Sequence, residues 1–265
     1  MSSTSPRMSP LPLPRSMRVI LALMLREMGT TYGKSSLGYL WALLEPIGAI
    51  AVLSFAFSVA FQTPPLGSSF PLFYATGYIP FMVYNTMQNQ VGATVRENTQ
   101  LLFYPRVTYM DAIISRFCLV SLTQFLSAAI VFAGIIILDG VNQQMDLGAI
   151  LLGFGVAVLL GLGMGTLNCV IIHLMPSWRQ IWSILTRPLF LISCIFFMFD
   201  TLPIWIQDIL WWNPLIHIIG VTRLGFYSVY EGGYISLAYP LIIAGTTLFL
   251  GLALLRRHAA NLINS

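Results

Sequence analysis

Residues 147–174 read LGAILLGFGVAVLLGLGMGTLNCVIIHL, without one Asp, Glu, Lys or Arg. A soluble helix of this length sets an apolar stripe against a charged face. This one is apolar all round, and about 20 such residues suffice to cross a bilayer. The stretch therefore predicts a transmembrane helix from Leu147 to Leu174. Its glycines, Gly153 to Gly165, predict close helix packing, because small residues let two backbones approach.

The rest of the chain agrees with a membrane setting. Of 265 residues, 57% are hydrophobic and 8% charged, against about a quarter charged in soluble domains. The predicted class is an all-α integral membrane protein. Three further apolar runs are clear: Leu37 to Phe61, Phe117 to Leu138 and Tyr234 to Leu255. Two are diluted, Phe70 to Val91 by Asn85, Gln88 and Asn89, and Ile181 to Phe199 by Arg187-Pro188. One more apolar region, Leu202 to Tyr230, is interrupted by Asp208, Asn213-Pro214 and Arg223.

Charge placement chooses six spans over seven. Loops that stay in the cytoplasm collect Lys and Arg. Arg7, Arg15, Arg18, Arg26 and Lys34 precede the first span, Arg96 and Arg106 follow the second, Arg179 follows the fourth, and Arg256-Arg257 end the last. The opposite segments, Gln62 to Ser69, Asp139 to Asp146 and Asp200 to Gly233, hold Asp139, Asp146, Asp200, Asp208 and Glu231 against Arg223 alone. Six spans keep both termini cytoplasmic. The region Leu202 to Tyr230, with Trp211, Trp212, Asn213 and Arg223, is then expected to dip into the outer leaflet as a broken, re-entrant pair of half-helices. Its polar backbone has to be buried in protein or line a wet cavity, and its aromatic rings fit an interfacial belt.

Three parts are expected along the chain. Residues 1–16, rich in Ser and Pro, read as a disordered leader. Residues 17–36 read as an amphipathic helix lying on the inner leaflet; Arg26 and Glu27 follow its apolar run with no small-residue cleavage site, unlike a signal peptide, and an uncleaved short anchor is the alternative. Residues 37–265 form the six-span domain. Lys34, Tyr39 and Trp41 are placed as interfacial anchors. Glu45 is costly in lipid, so it is expected to face protein or water, in a salt bridge to a neighbouring Arg that orients the first span or else in direct contact with substrate.

Gly33-Lys34-Ser35 imitates the end of a nucleotide-binding P-loop. That loop needs four residues between its first glycine and the Gly-Lys pair, and Gly29 leaves three. With no Walker motif and no soluble domain to carry one, the chain is expected to be no enzyme, and energy from ATP must arrive through another polypeptide. Cys118, Cys169, Cys194, His173, His217 and His258 are scattered without metal spacing, so no metal is expected.

Three stretches carry a resemblance: YGKSSLGYLWALLEP (Tyr32 to Pro46), LISCIFF (Leu191 to Phe197) and WWNPLIHIIGVTR (Trp211 to Arg223). Together with the span layout they resemble the permease subunits of ABC transporters that export capsular polysaccharide, the KpsM-like group of the type-2 exporter class. The resemblance implies a multi-pass protein of the bacterial inner membrane working as a homodimer. It implies a separate ABC ATPase subunit that holds ATP-Mg on the cytoplasmic face, a periplasmic co-polymerase and an outer-membrane polysaccharide exporter. It implies contact with membrane lipid, no cofactor on this chain and no nucleic acid. O-antigen and teichoic acid remain alternatives to capsule as cargo.

Within that frame the segment Val95 to Tyr109 resembles the coupling helix, with Arg96, Glu97, Gln100, Leu101 and Phe103 as candidate ATPase contacts; an ordinary amphipathic loop fits it equally. Sugar rings stack on aromatic faces and sugar hydroxyls exchange hydrogen bonds with amides. Tyr74, Tyr78, Phe81, Asn85 and Gln88 follow i, i+4, i+7, i+11, i+14, one helical stripe. They are the candidate substrate path, and helix packing aided by Gly77 fits the same spacing. Arg187 either snorkels to the inner surface or contacts an anion at the cytoplasmic mouth. Two other classes fit less well. An ion-coupled transporter wants ionisable groups near mid-membrane, whereas Glu45 and Asp111 sit toward the cytoplasmic ends, and a membrane-bound glycan transferase would need more than Asp208 with His217.

Overall fold

The computed structural model describes residues 15–29, 38–98, 107–140 and 144–264. Its regular elements are all helical: α1 (Arg15–Glu27), α2 (Gly38–Ala60), α3 (Phe70–Glu97), α4 (Tyr109–Asp139), α5 (Leu147–Leu174), α6 (Trp178–Ile192), α7 (Ile204–Leu210), α8 (Pro214–Phe226) and α9 (Ala238–Asn264), with a 3-10 turn at Phe199–Thr201. Residues 1–14 of the expected leader, Gly33-Lys34-Ser35 and residues 99–106 lie outside the described residues. The helix begins at Arg15, so the last two residues of the expected leader, Arg15 and Ser16, are helical rather than disordered, and Arg15–Glu27 packs on α4.

Local chemistry sets the helix starts. The Ser69 hydroxyl accepts the Leu72 N–H at 3.1 Å and opens α3, with proline in the first turn. Thr108 and Asp111 form a reciprocal capping box that opens α4. The carboxylate of Asp146 accepts the N–H groups of Gly148 and Ala149 at 2.8 and 3.2 Å and opens α5.

Among the described residues four stretches are long and apolar enough to cross a bilayer: Leu40–Ala60, Tyr109–Asp139, Leu147–Leu174 and Ala238–His258. α3 has the length, with 28 residues, but amides occupy its second half. The expected fifth span differs most. α6 closes at Ile192 after 15 residues, about 22 Å at 1.5 Å per residue, which is short of the roughly 30 Å hydrocarbon core.

The break has a local cause that composition does not show. Ser193 bonds back to the Leu189 carbonyl, and Cys194 adopts φ 59, alone among the described non-glycine residues in the left-handed region. A β-carbon there crowds the backbone, so neighbouring contacts must hold it. Asn213 supplies one: its Nδ2 donates to the Ile192 carbonyl at 3.3 Å and to the Ser193 hydroxyl at 3.0 Å, while its Oδ1 accepts the Leu215 N–H and caps α8. Two short helices do flank Asn213-Pro214, and most of α8 is buried within the chain.

α5 is the centre of the bundle, packed by α3, α8 and α9. Its glycines make that possible. A β-carbon on Gly161 would stand 2.7 Å from Cβ of Met87 on α3, and one on Gly163 would stand 2.5 Å from the Ala244 carbonyl oxygen on α9. The close packing read from Gly153 to Gly165 is the geometry observed.

Candidate functional site

The end of the bundle where α3 runs out and α5 turns into α6 is open. Two adjoining cavities lie there. One, of about 430 Å³, is walled by Asn85, Gln88, Asn89, Gln90, Asn168 and Trp182 among others. The second, of about 710 Å³, runs over Cys169, Ile172, His173 and Pro176. Arg96 and Arg179 line both.

The wall is built by pairing. Gln88 is buried; its Oε1 accepts the Trp182 indole N–H at 3.0 Å and its Nε2 donates to Asn85 Oδ1 at 3.1 Å. Asn89 donates to the same Asn85 oxygen at 3.3 Å. Trp178 donates its indole N–H to Asn168 at 3.0 Å, and the two tryptophan rings stack with centroids 6.0 Å apart. α6, which buries none of its own residues fully, is thus tied to α3 and α5 through two indole N–H bonds.

The expected stripe on α3 divides here. Asn85 and Gln88 are in the cavity wall. Tyr74, Tyr78 and Phe81 are buried and pack instead of lining an opening within this chain. Phe190 of α6 sits edge-on to Tyr78 and Phe81, at 6.0 and 5.4 Å between centroids, and Phe57 meets Tyr74 at 5.1 Å. The reason is that aromatic rings of α6 and α2 pack on the N-terminal half of α3. Gly77 also serves packing within the chain, since a β-carbon would stand 3.1 Å from Cα of Ile195. Arg187 is exposed on α6 and outside both cavities. Ser183 and Thr186 face the groove, and one further residue turns about 100° around the helix.

At the same end an ion cluster joins three helices. Arg116 Nη2 on α4 meets Glu27 on α1 at 2.9 Å and Glu97 on α3 at 2.8 Å, while its Nη1 donates to Gln90 at 2.6 Å. Asn98 donates to Glu27 at 3.4 Å and accepts from Arg26 at 3.3 Å. Of the candidate coupling residues, Glu97 belongs to this cluster and Arg96 to the groove, while Gln100, Leu101 and Phe103 lie outside the described residues. So do Lys34 and the side chain of Tyr39.

Sequence reading missed Arg116, Asn98, Gln90 and Trp182, and used Arg179 only as a topology marker. A signal existed in Arg116, a charge beside an apolar run that demands a buried partner.

Trp41 is exposed. Glu45 lines a separate cavity of about 210 Å³ with Trp41, Gln90 and Gln124. Its expected salt bridge is not formed among the described residues, where the ion pairs are Arg116 with Glu27 and Arg116 with Glu97.

At the far end Arg223 of α8 is fully buried. It donates to the carbonyls of Phe197 and Ile195, each at 3.1 Å, and lies over the Phe73 ring at 4.5 Å. Arg223 therefore satisfies the backbone left open where α6 ends. The Trp211 indole donates to the Tyr234 carbonyl at 3.1 Å, and Trp212 is exposed. Ser236 N–H donates to Nδ1 of His217, so Nε2 carries the ring proton and donates to the Trp211 carbonyl at 2.9 Å. No cluster of His, Cys, Asp and Glu suited to a metal occurs among the described residues.

The model of the ABC-2 type transporter family matches residues 18–227. The chain belongs to that family. An ABC-2 type membrane subunit implies an ABC ATPase as its partner. Among curated relatives, the polysialic acid transport protein KpsM of Escherichia coli is 31% identical over 245 residues, 92% of this chain and 95% of that protein. The capsule polysaccharide export inner-membrane proteins CtrC of Neisseria meningitidis and BexB of Haemophilus influenzae are 26% and 27% identical, each over 91% of both chains.

Proposed function

We propose that this chain is the permease subunit of an ATP-driven exporter that moves a capsular polysaccharide, as a lipid-linked glycan, across the bacterial inner membrane. The observation that carries the reading is identity of 31% along nearly the whole length of a polysialic acid transport protein, joined to the family match. Geometry supports it: a cation-bearing, amide-walled groove at one end of an apolar bundle suits a polyhydroxylated, anionic cargo, since amides exchange hydrogen bonds with hydroxyls and arginines pair with anions.

In this reading the chain is a six-span homodimer subunit with both termini cytoplasmic. α3 crosses with its amides toward the cytoplasm, α6 crosses with help from the non-helical stretch after it, and α7 and α8 form the re-entrant outer segment. ATP-Mg is bound by the partner ATPase, which docks on Arg96, Glu97, Gln100, Leu101 and Phe103; a periplasmic co-polymerase and an outer-membrane exporter continue the path. Asn85 and Gln88 belong to the sugar path, and Tyr74, Tyr78 and Phe81 set the position of its α6 wall.

Deletion of the gene in its host tests this. Polymer should accumulate inside the cell and return to the surface when the wild-type chain is restored. Unchanged surface polymer in the deletion strain overturns the reading. Membrane-impermeant thiol labelling checks the topology: single cysteines at Asn142 should react in intact cells and those at Gln100 should not.

A further inference from the structure

We infer that the paired cavities between α3, α5 and α6 hold the anionic junction of an amphiphile, the phosphate ester that joins an acyl chain to a sugar. The inference deepens the export reading and rests on it only for the identity of the amphiphile.

Each lobe has the size of a ligand site, about 710 and 430 Å³. Arg96 and Arg179 belong to both lobes, with Gly92, Ile172 and Ser183, and the remaining linings differ. The larger lobe adds Cys169 and Pro176, which offer little to a sugar hydroxyl, with His173 and Gln180 beside them. The smaller is lined by side-chain amides that Trp182 and one another hold in place. A lobe with Cys169, Ile172 and Pro176 in its wall, two arginines shared with its neighbour, and a lobe of amides: a lipid-linked glycan presents acyl chain, phosphate and sugar in that order.

Charge supports the match. Glu97 is the one carboxylate in either lining, and Arg116 holds it at 2.8 Å. The shared wall is therefore net positive, and guanidinium forks suit phosphate oxygens. Arg187 cannot serve this role from its place outside the lining.

The test uses the purified full-length chain in lipid nanodiscs and lysophosphatidic acid carrying a diazirine in its acyl chain. Irradiation should label the segment from Cys169 to Gln180, and unlabelled lysophosphatidic acid should compete. The Arg96→Gln/Arg179→Gln double variant should lower labelling at least about tenfold, the size of one lost charge-assisted contact. Arg257→Gln should leave it unchanged. Arg96→Lys/Arg179→Lys should keep much of the labelling, which separates lost charge from lost fold.

Equal labelling by the uncharged diazirine monoacylglycerol overturns the proposal. So does undiminished labelling in the Gln variant. Full competition by millimolar inorganic phosphate alone would assign a free-anion site and overturn the lipid part. Surface polysaccharide in the deletion strain reports on export independently. Labelling in the groove with normal surface polymer removes the export reading and keeps the site; lost surface polymer with no labelling does the reverse.

Discussion

Arg116 Nη2 stands 2.9 Å from Glu27 Oε1, both side chains 5% exposed, and this contact fastens the N-terminal helix to the bundle. The same nitrogen reaches Glu97 at the last turn of α3. The two helices that flank the segment between α3 and α4 are therefore tied to α1 through one guanidinium. Desolvating such charges is costly, and removing one partner strands the other in a buried site.

Arg116→Leu is expected to cost about 3 to 5 kcal/mol and to free α1 from α4. Limited proteolysis between α1 and α2 reports the release, and thermal unfolding of the purified protein reports the stability. Glu27→Gln should cost less, because the amide oxygen still accepts from Arg116. Neutral behaviour of Arg116→Leu in both measurements would show that the cluster does not hold α1.

Arg223 and Cys194 give a second test. With Cys118 and Cys169 replaced by Ala, Cys194 is the remaining thiol, buried at 1% exposure. Arg223→Leu leaves the Ile195 and Phe197 carbonyls open, at about 1 to 3 kcal/mol each. Cys194 should then react with maleimide at a rate approaching that of an exposed thiol. Arg223→Lys should be intermediate, since one ammonium does not reproduce the planar fork. A Cys194 that stays inert in Arg223→Leu rules out the pinning role.

Helix spacing gives a third. In Gly161→Ala the new carbon would lie 2.7 Å from Met87 Cβ and 2.9 Å from the Tyr84 carbonyl oxygen. Overpacking of this kind costs about 1 to 3 kcal/mol. Gly155 meets nothing within 4 Å, so Gly155→Ala should be neutral or stabilising by up to about 1 kcal/mol. Melting points from size-exclusion chromatography compare the pair, and equal melting points would remove close approach as the reason for Gly161.

The stripe on α3 gives a fourth. Tyr78→Ala and Phe81→Ala withdraw the surface on which Phe190 rests and should cost about 3 to 5 kcal/mol each, seen as loss of the protein from the membrane. Asn85→Ala touches the groove wall and should leave abundance near normal while surface polysaccharide falls. Normal abundance of Tyr78→Ala and Phe81→Ala would return these rings to the substrate path.

Much of this protein was legible in the chain itself. Hydrophobicity is a property of each residue, and a bilayer averages it over about 20 positions, so the runs at Leu147–Leu174 and around α2, α4 and α9 announce themselves. The glycine spacing of α5 and the Asn213-Pro214 break are likewise local, because small residues and helix caps act within a turn or two. Which face of a helix meets what is not local. Tyr74 and Asn85 share one stripe on α3, yet the first is covered by Phe57 of α2 and the second opens on a groove, because the aromatic rings of α2 and α6 pack on the N-terminal half of that helix while α6 reaches the other half through Trp182. The end of α6 at Ile192 depends on Asn213 and Arg223, which hold its open backbone from another part of the chain. Glu27, Glu97 and Arg116 lie far apart in sequence, and their meeting appears only once α1, α3 and α4 are packed. A charge can demand a partner from its position in the sequence, but tertiary packing alone decides which partner answers.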